Sequence, residues 1–217
     1  MRETAGRTFS IAKEHPATPG CTTSFAVHEG AGLAVSYFSL AAGTDISAET
    51  HPQHKLLVVA DGSMDVDAGD GARHVAAGES ILVPAGATVG MATQEGCTYT
   101  ELNMERETIM NQAVKAGDVF RLGDLVPYQD GTIVNMDVAH NGGMKLALMS
   151  FDAGCGLSEH SAPGEALVFA LDGEGVIGYE GQEHAIHAGE CFKFDKNGRH
   201  YVRAEKRFKM ALLLTLQ

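Results

Sequence analysis

Tryptophan is absent from this 217-residue chain, and aromatic residues make up only 6% of it. A core of ordinary density must therefore come mainly from Val, Leu, Ile, Met and Phe. Cationic side chains are also scarce: 16 Lys and Arg stand against 28 Asp and Glu, a formal charge of −12. A surface of that sign repels duplex nucleic acid and anionic lipid, so neither is expected as a partner. No run reaches the roughly 18 apolar residues that a membrane-spanning helix needs. The opening stretch MRETAGRTFSIAKEH has no apolar core of a signal peptide. Cys21, Cys97, Cys155 and Cys191 lie far apart and form no CxxC pair. Together these absences predict free thiols and a cytoplasmic location. No glycine-rich stretch has the strand-to-helix context of a phosphate loop.

Glycine, by contrast, is abundant: 26 residues, spread along the chain. That suits many tight turns and argues against a helical bundle. The chain also matches itself, without a gap, at an offset of 111 residues. Phe9 falls on Phe120, Pro16 on Pro127, Gly20 on Gly131, Gly43 on Gly154, Pro52 on Pro163 and Leu102 on Leu213. ADG at 60–62 falls on LDG at 171–173, and AGE at 77–79 on AGE at 188–190. The matches gather at residues that fix turns, which implies two copies of one fold. The expected domains are 1–106 and 107–217, each of about 100 residues and able to hold its own core.

The pattern within a copy is β. GLAVSYFSL (32–40) and MKLALMSF (144–151) are apolar runs of strand length. KLLVVADG and ALVFALDGEG end at an Asp-Gly turn signal, and VIGYEGQEHAIHAGE reads as a hairpin. ESILVPAG and ECFKFDKNG follow the next turn, and RFKMALLLTL closes the second copy. Short strands with frequent turns favour a sandwich or barrel. A helix is expected at RETIMNQAV (106–114), as a short connection between the copies.

Two spacings then resemble the motifs of the cupin superfamily. Motif 1 of that family runs Gly, five residues, His-x-His, a carboxylate and a later Gly; here Gly154 leads to His160, and Gly173 closes the stretch. Motif 2 runs Gly, five residues, Pro and then His; here Gly189 leads to Asp195 and His200. In the first copy Gly78, Pro84 and Gly86 match motif 2. The resemblance covers both copies and implies an all-β bicupin of two tandem jelly-roll barrels. Fold does not decide function in such a family.

The resemblance also implies a site. Ligands in this family come from two facing strands, and His-x-His supplies two because side chains at i and i+2 share a face. Carried onto this chain, His160 and His200 stand in ligand positions, while Ala162 replaces the second histidine. Glu165 is the candidate third ligand. Strict alternation points it outward, whereas a bulge at Pro163-Gly164 would turn it in, and both arrangements remain open. Two His and one carboxylate suit non-heme iron, so the resemblance implies one divalent transition metal (Fe, Mn, Ni or Zn) in the second barrel. In the first copy Glu49, His51, His54 and Val89 occupy the matching places, which leaves no ligand on the opposite strand and implies a degenerate, metal-free centre.

Three functions are compatible with these residues. One is a bicupin that binds a small molecule in the C-terminal barrel around His160 and His200, its metal site partial. Another is a metal-dependent enzyme of dioxygenase, isomerase or lyase type using His160 and His200, with or without Glu165. A storage role is the third. Ala162 leaves space beside the two imidazoles, so a ligand-facing pocket is expected there. Association into a homo-oligomer through exposed sheet edges accords with the resemblance.

Overall fold

The computed structural model describes residues 1–69 and 71–216; Gln217, the end of the expected second domain, lies outside them. The chain forms two compact units. One comprises Arg2 with Ile11–Arg121, the other Met1 and Glu3–Ser10 with Leu122–Gln217.

In the first unit an antiparallel sheet runs Val119–Phe120, Ser80–Val83, His54–Asp67, Cys97–Met104, Leu33–Leu40, Thr22–Gly30. A second layer joins Asp45–Thr50, Thr88–Ala92, Ala72–Ala76 and the far half of His54–Asp67. The second unit repeats the plan with Thr8–Phe9, Cys191–Phe194, Ala166–Tyr179, Phe208–Thr215, Met144–Phe151 and Ile133–His140. Its second layer holds Gly156–Ser161, Arg199–Arg203 and Gln182–His187. Two antiparallel layers sharing one long strand are the jelly-roll arrangement that the resemblance implied. The edge strand of each sheet explains why the units do not divide at residue 106. Val119–Phe120 pairs with Ser80–Val83, and Thr8–Phe9 pairs with Cys191–Phe194.

The pairing registers reproduce the sequence repeat. Glu49 faces Val89 across its ladder as His160 faces His200, and Lys55 faces Asn103 as Ala166 faces Leu214. The hairpin is also where the sequence puts it. Tyr179 pairs with Gln182, and the two residues between them, Glu180 and Gly181, have φ of 48° and 81°. Positive φ at both positions defines the type I′ turn that matches strand twist.

Two expectations need correction. The bridge 106–114 is not helical: it contains the short strand Ile109–Met110 and two turns, Thr108 to Glu105 and Val114 to Asn111. Asn111 takes the Ala113 N–H with its side chain (2.9 Å), offering the backbone an alternative to helix. The helical turn of the connection falls later, as a 3-10 turn at Leu122–Leu125. Nor do the Asp-Gly pairs end their strands. Each strand of 14 residues runs through its Asp-Gly, with the register shifting between Val59 and Asp61 and between Ala170 and Asp172.

Gly62 and Gly173 sit at those bulges, both with φ of 71°. A Cβ there would lie 2.1 Å from the Gly96 carbonyl oxygen and 2.0 Å from that of Arg207. Only glycine meets both demands. Gly62→Ala and Gly173→Ala are each expected to cost about 1–3 kcal/mol of stability. An unchanged urea midpoint in either variant would overturn this account of the bend.

Candidate functional site

The second-layer strands bring His160 and His200 together. Facing one another in the ladder, their rings stand 4.3 Å apart between centroids, inclined at 57°. His200 is buried and stacks on Phe194 at 4.1 Å, whereas His160 is exposed. His160 Nδ1 lies 2.8 Å from the Ser158 carbonyl and His200 Nδ1 lies 2.9 Å from that of Gly198. A carbonyl only accepts, so each Nδ1 donates, and in the neutral form of either ring the lone pair is then on Nε2. Burial lowers the His200 pKa; the Gly198 carbonyl opposes this, and the neighbouring His160 adds to it.

Glu165 is not part of this pair. One carboxylate oxygen contacts Lys193 Nζ at 2.7 Å, and the other holds the Met1 ammonium. Lys193 is itself buried and also meets Asp195 at 2.6 Å. Partial burial resists ionisation of Glu165, but the two ammonium groups outweigh it and hold the carboxyl below its usual range. Its backbone N–H and C=O both bond Thr215, locking the segment against Phe208–Thr215. Among the described residues no group of three or more His, Cys, Asp or Glu is placed to share one ion. Two imidazoles with the third donor engaged elsewhere do not fit a three-ligand metal site. In that barrel Phe151, Phe192, Phe194, Phe208 and Met210 belong to one buried apolar cluster.

The first barrel is built differently. It encloses a cavity of about 450 Å³, walled by Phe38, Met91 and Tyr99 and opening past Glu49, His51 and Gln53. Tyr99, Glu101 and Asn103 share one face of their strand because side chains alternate. Lys55, on the adjacent strand, is 7% exposed and Glu101 5%. Lys55 Nζ donates to Glu101 Oε1 at 2.7 Å, and Asn103 Nδ2 donates to the same oxygen at 2.8 Å. Asn103 Oδ1 is buried with no hydrogen-bond partner among the described residues. The Tyr99 hydroxyl donates to Met91 Sδ (3.0 Å), and burial, with the Glu101 carboxylate and Cys97 adding to it, pushes its pKa far above the usual value.

Of the motif positions of this copy, Glu49, His51 and the buried Val89 line the chamber, and His54 does not. His51 approaches Glu49 at 3.8 Å by the mouth. His54 is occupied on both nitrogens: Nδ1 accepts the Ala85 N–H at 3.1 Å, and Nε2 lies 3.2 Å from the Arg106 carbonyl. Motif reading missed Lys55, Glu101 and Asn103. The available signal was polar residues two apart, Glu101 and Asn103, in a strand that is otherwise buried.

Two outcomes follow from these geometries. Lys55→Met strands a buried carboxylate and is expected to cost about 3–5 kcal/mol, whereas Lys55→Met with Glu101→Leu recovers most of it. Urea unfolding of the two variants checks this; equal losses would mean the pair is not coupled. For His200, burial holds the folded-state pKa below the ordinary imidazole value of about 6.5. Its contribution is therefore intact above that pH, where both states are neutral. Below it the unfolded chain takes up the proton first, and stability falls. Relative to wild type, His200→Phe should flatten stability between neutral pH and pH 5, by at most about 1.4 kcal/mol per pH unit. Parallel pH profiles for the two proteins would contradict this.

Comparison with known proteins agrees with the fold. The model of the cupin domain matches residues 36–96 and 147–216. The Cupin 2 conserved barrel domain protein from Leptotrichia buccalis superposes with a TM-score of 0.88 at 24% identity, covering 99% of this chain and 98% of that one. The salicylate 1,2-dioxygenase of Pseudoaminobacter salicylatoxidans, solved as adducts with gentisate, superposes with a TM-score of 0.66 at 9% identity, covering 97% of this chain and 81% of that one. Among curated proteins none matches by sequence. With both repeats matched by the family model, the chain belongs to the cupin family.

Proposed function

We propose that this cupin binds a small organic molecule in the chamber of its first barrel, through side chains rather than through a metal ion. The observation that carries this reading is the Lys55–Glu101–Asn103 cluster at the base of a cavity of about 450 Å³. Small-molecule sites are concavities of about 300–1,000 Å³, mostly apolar, with a few converging polar groups. Burying an ion pair gains little stability over apolar residues of similar volume. Its presence at the base of an open cavity therefore favours recognition over structure.

A second reading keeps the ligand or an ion at the second barrel, as the motif histidines imply. In its favour, the Nε2 atoms of His160 and His200 keep their lone pairs while each Nδ1 is held by a carbonyl. Against it stand the engagement of Glu165 by Lys193 and the apolar packing below the pair. The likeness to the salicylate dioxygenase, at 9% identity, speaks to fold and not to substrate.

A thermal-shift screen of small polar metabolites, with and without EDTA, separates the two readings. Hits are expected to raise Tm equally in both conditions, to be lost in Ser36→Phe, which fills the chamber, and to persist in His200→Phe. Hits that follow His200 and need a divalent metal would overturn the first-barrel reading.

A further inference from the structure

We infer that the molecule taken up by the first barrel is a neutral, polyhydroxylated compound of about sugar size; this rests on the first-barrel reading above. The argument is from unfilled hydrogen-bonding capacity and charge. Glu101 Oε1 already accepts from both Lys55 and Asn103, while Oε2 accepts no hydrogen bond among the described residues. Asn103 Oδ1 is buried and also lacks a donor. Lys55 Nζ carries three N–H groups and donates one of them, to Glu101. The base of the chamber thus presents two acceptors seeking donors next to donors seeking acceptors.

Only a few ligand groups serve both within so small a space. A hydroxyl does, since one oxygen both donates and accepts. Neighbouring hydroxyls on a carbon chain or ring can give protons to Asn103 Oδ1 and Glu101 Oε2 and take them from Lys55. A carboxylate satisfies Lys55 but meets the two acceptors with like polarity. An ammonium does the reverse.

Charge points the same way. Lys55 and Glu101 neutralise one another at 2.7 Å, so the base of the chamber carries no net charge. A charged ligand would lose its hydration there without a counter-ion in return, and such a loss is expensive. At the mouth Glu49 is exposed, and the chain as a whole bears −12, which adds repulsion for anions. Phe38, Met91 and Tyr99 supply an apolar wall for the carbon skeleton. Ser36 and Ser47 add two hydroxyls to the lining.

Met91 provides the reporter, because its sulfur contacts Tyr99 on the chamber wall. Protein carrying ¹³C-methyl methionine is titrated with three probe sets. The first is glucose, ribose, mannitol and myo-inositol; the second is malate and gentisate; the third is glycine and putrescine. A saturable shift of the Met91 methyl by at least one polyol is expected, with the second and third sets silent at equal concentration. In Asn103→Leu, which carries the residue that the second copy has at the matching place, the affinity should fall at least tenfold. The methyls of Met149 and Met210 in the second barrel should stay in place, showing that the variant is folded. Binding of a carboxylate or amine probe at Met91, with every polyol silent, would overturn the ligand class and leave the chamber reading standing. Silence of all three sets at Met91 would overturn both. Polyol binding that Asn103→Leu leaves unchanged would overturn the role given to the chamber base.

Discussion

Each barrel depends on one strand that must serve two sheets. His54–Asp67 pairs with Cys97–Met104 and Ser80–Val83 through its first half, then with Ala72–Ala76 and Thr88–Ala92 through its second. The change of partner is made at the bulge before Gly62, and the extra residue there reverses which side chains face inward. Leu57 and Val59 are in the core before the bulge, and Met64 and Val66 after it. Val168 and Ala170, then Ile177, repeat the switch in the second barrel. This parity puts Lys55 on the inner face with Leu57 and Val59, since it lies two and four residues before them. The same bend sends the second half of the strand to the ladder that carries Val89 in one copy and, in the other, the strand of His200.

The histidine pair is accounted for by its own surroundings. His200 has Phe194 against its face and the Gly198 carbonyl on Nδ1, and burial keeps it neutral. A metal seeking a third ligand would have to draw Glu165 away from Lys193. That lysine is 4% exposed and would keep only Asp195, at 2.6 Å, as its carboxylate partner. The N-terminal ammonium would lose the same partner. Lys193 lies within the second motif stretch and Met1 far from either motif, and both contacts act against recruiting the carboxylate.

Much of the fold is legible in the sequence because glycine-rich turns and apolar alternation are local signals. The repeat and the hairpin follow from spacing, and the facing of His160 and His200 is what the resemblance to the cupin motifs implies. The bulges were harder to read. Asp-Gly marks a turn as well as a bulge, and only the partner strand decides between them. Glu165 was ambiguous for a similar reason: its register was open, and its partners Met1 and Lys193 lie 164 and 28 residues away. Lys55 opens the run KLLVV, where a charged residue reads as the solvated end of a strand. That it turns inward became visible only when Glu101 and Asn103 were placed on the neighbouring strand.

The second copy serves as an internal control for the first. At the positions matching Lys55, Glu101 and Asn103 it carries Ala166, Leu212 and Leu214, in the same ladder and at the same register. The backbone of this fold is therefore satisfied by small and apolar residues there, and it closes over a dense cluster of phenylalanines. The charged set is not required for folding. Leaving Asn103 Oδ1 buried and unpaired costs the first barrel about 1–3 kcal/mol. Two barrels of one design thus differ in what their matching inner positions carry: Ala166, Leu212 and Leu214 in one, and a buried ion pair with an amide beside a cavity in the other.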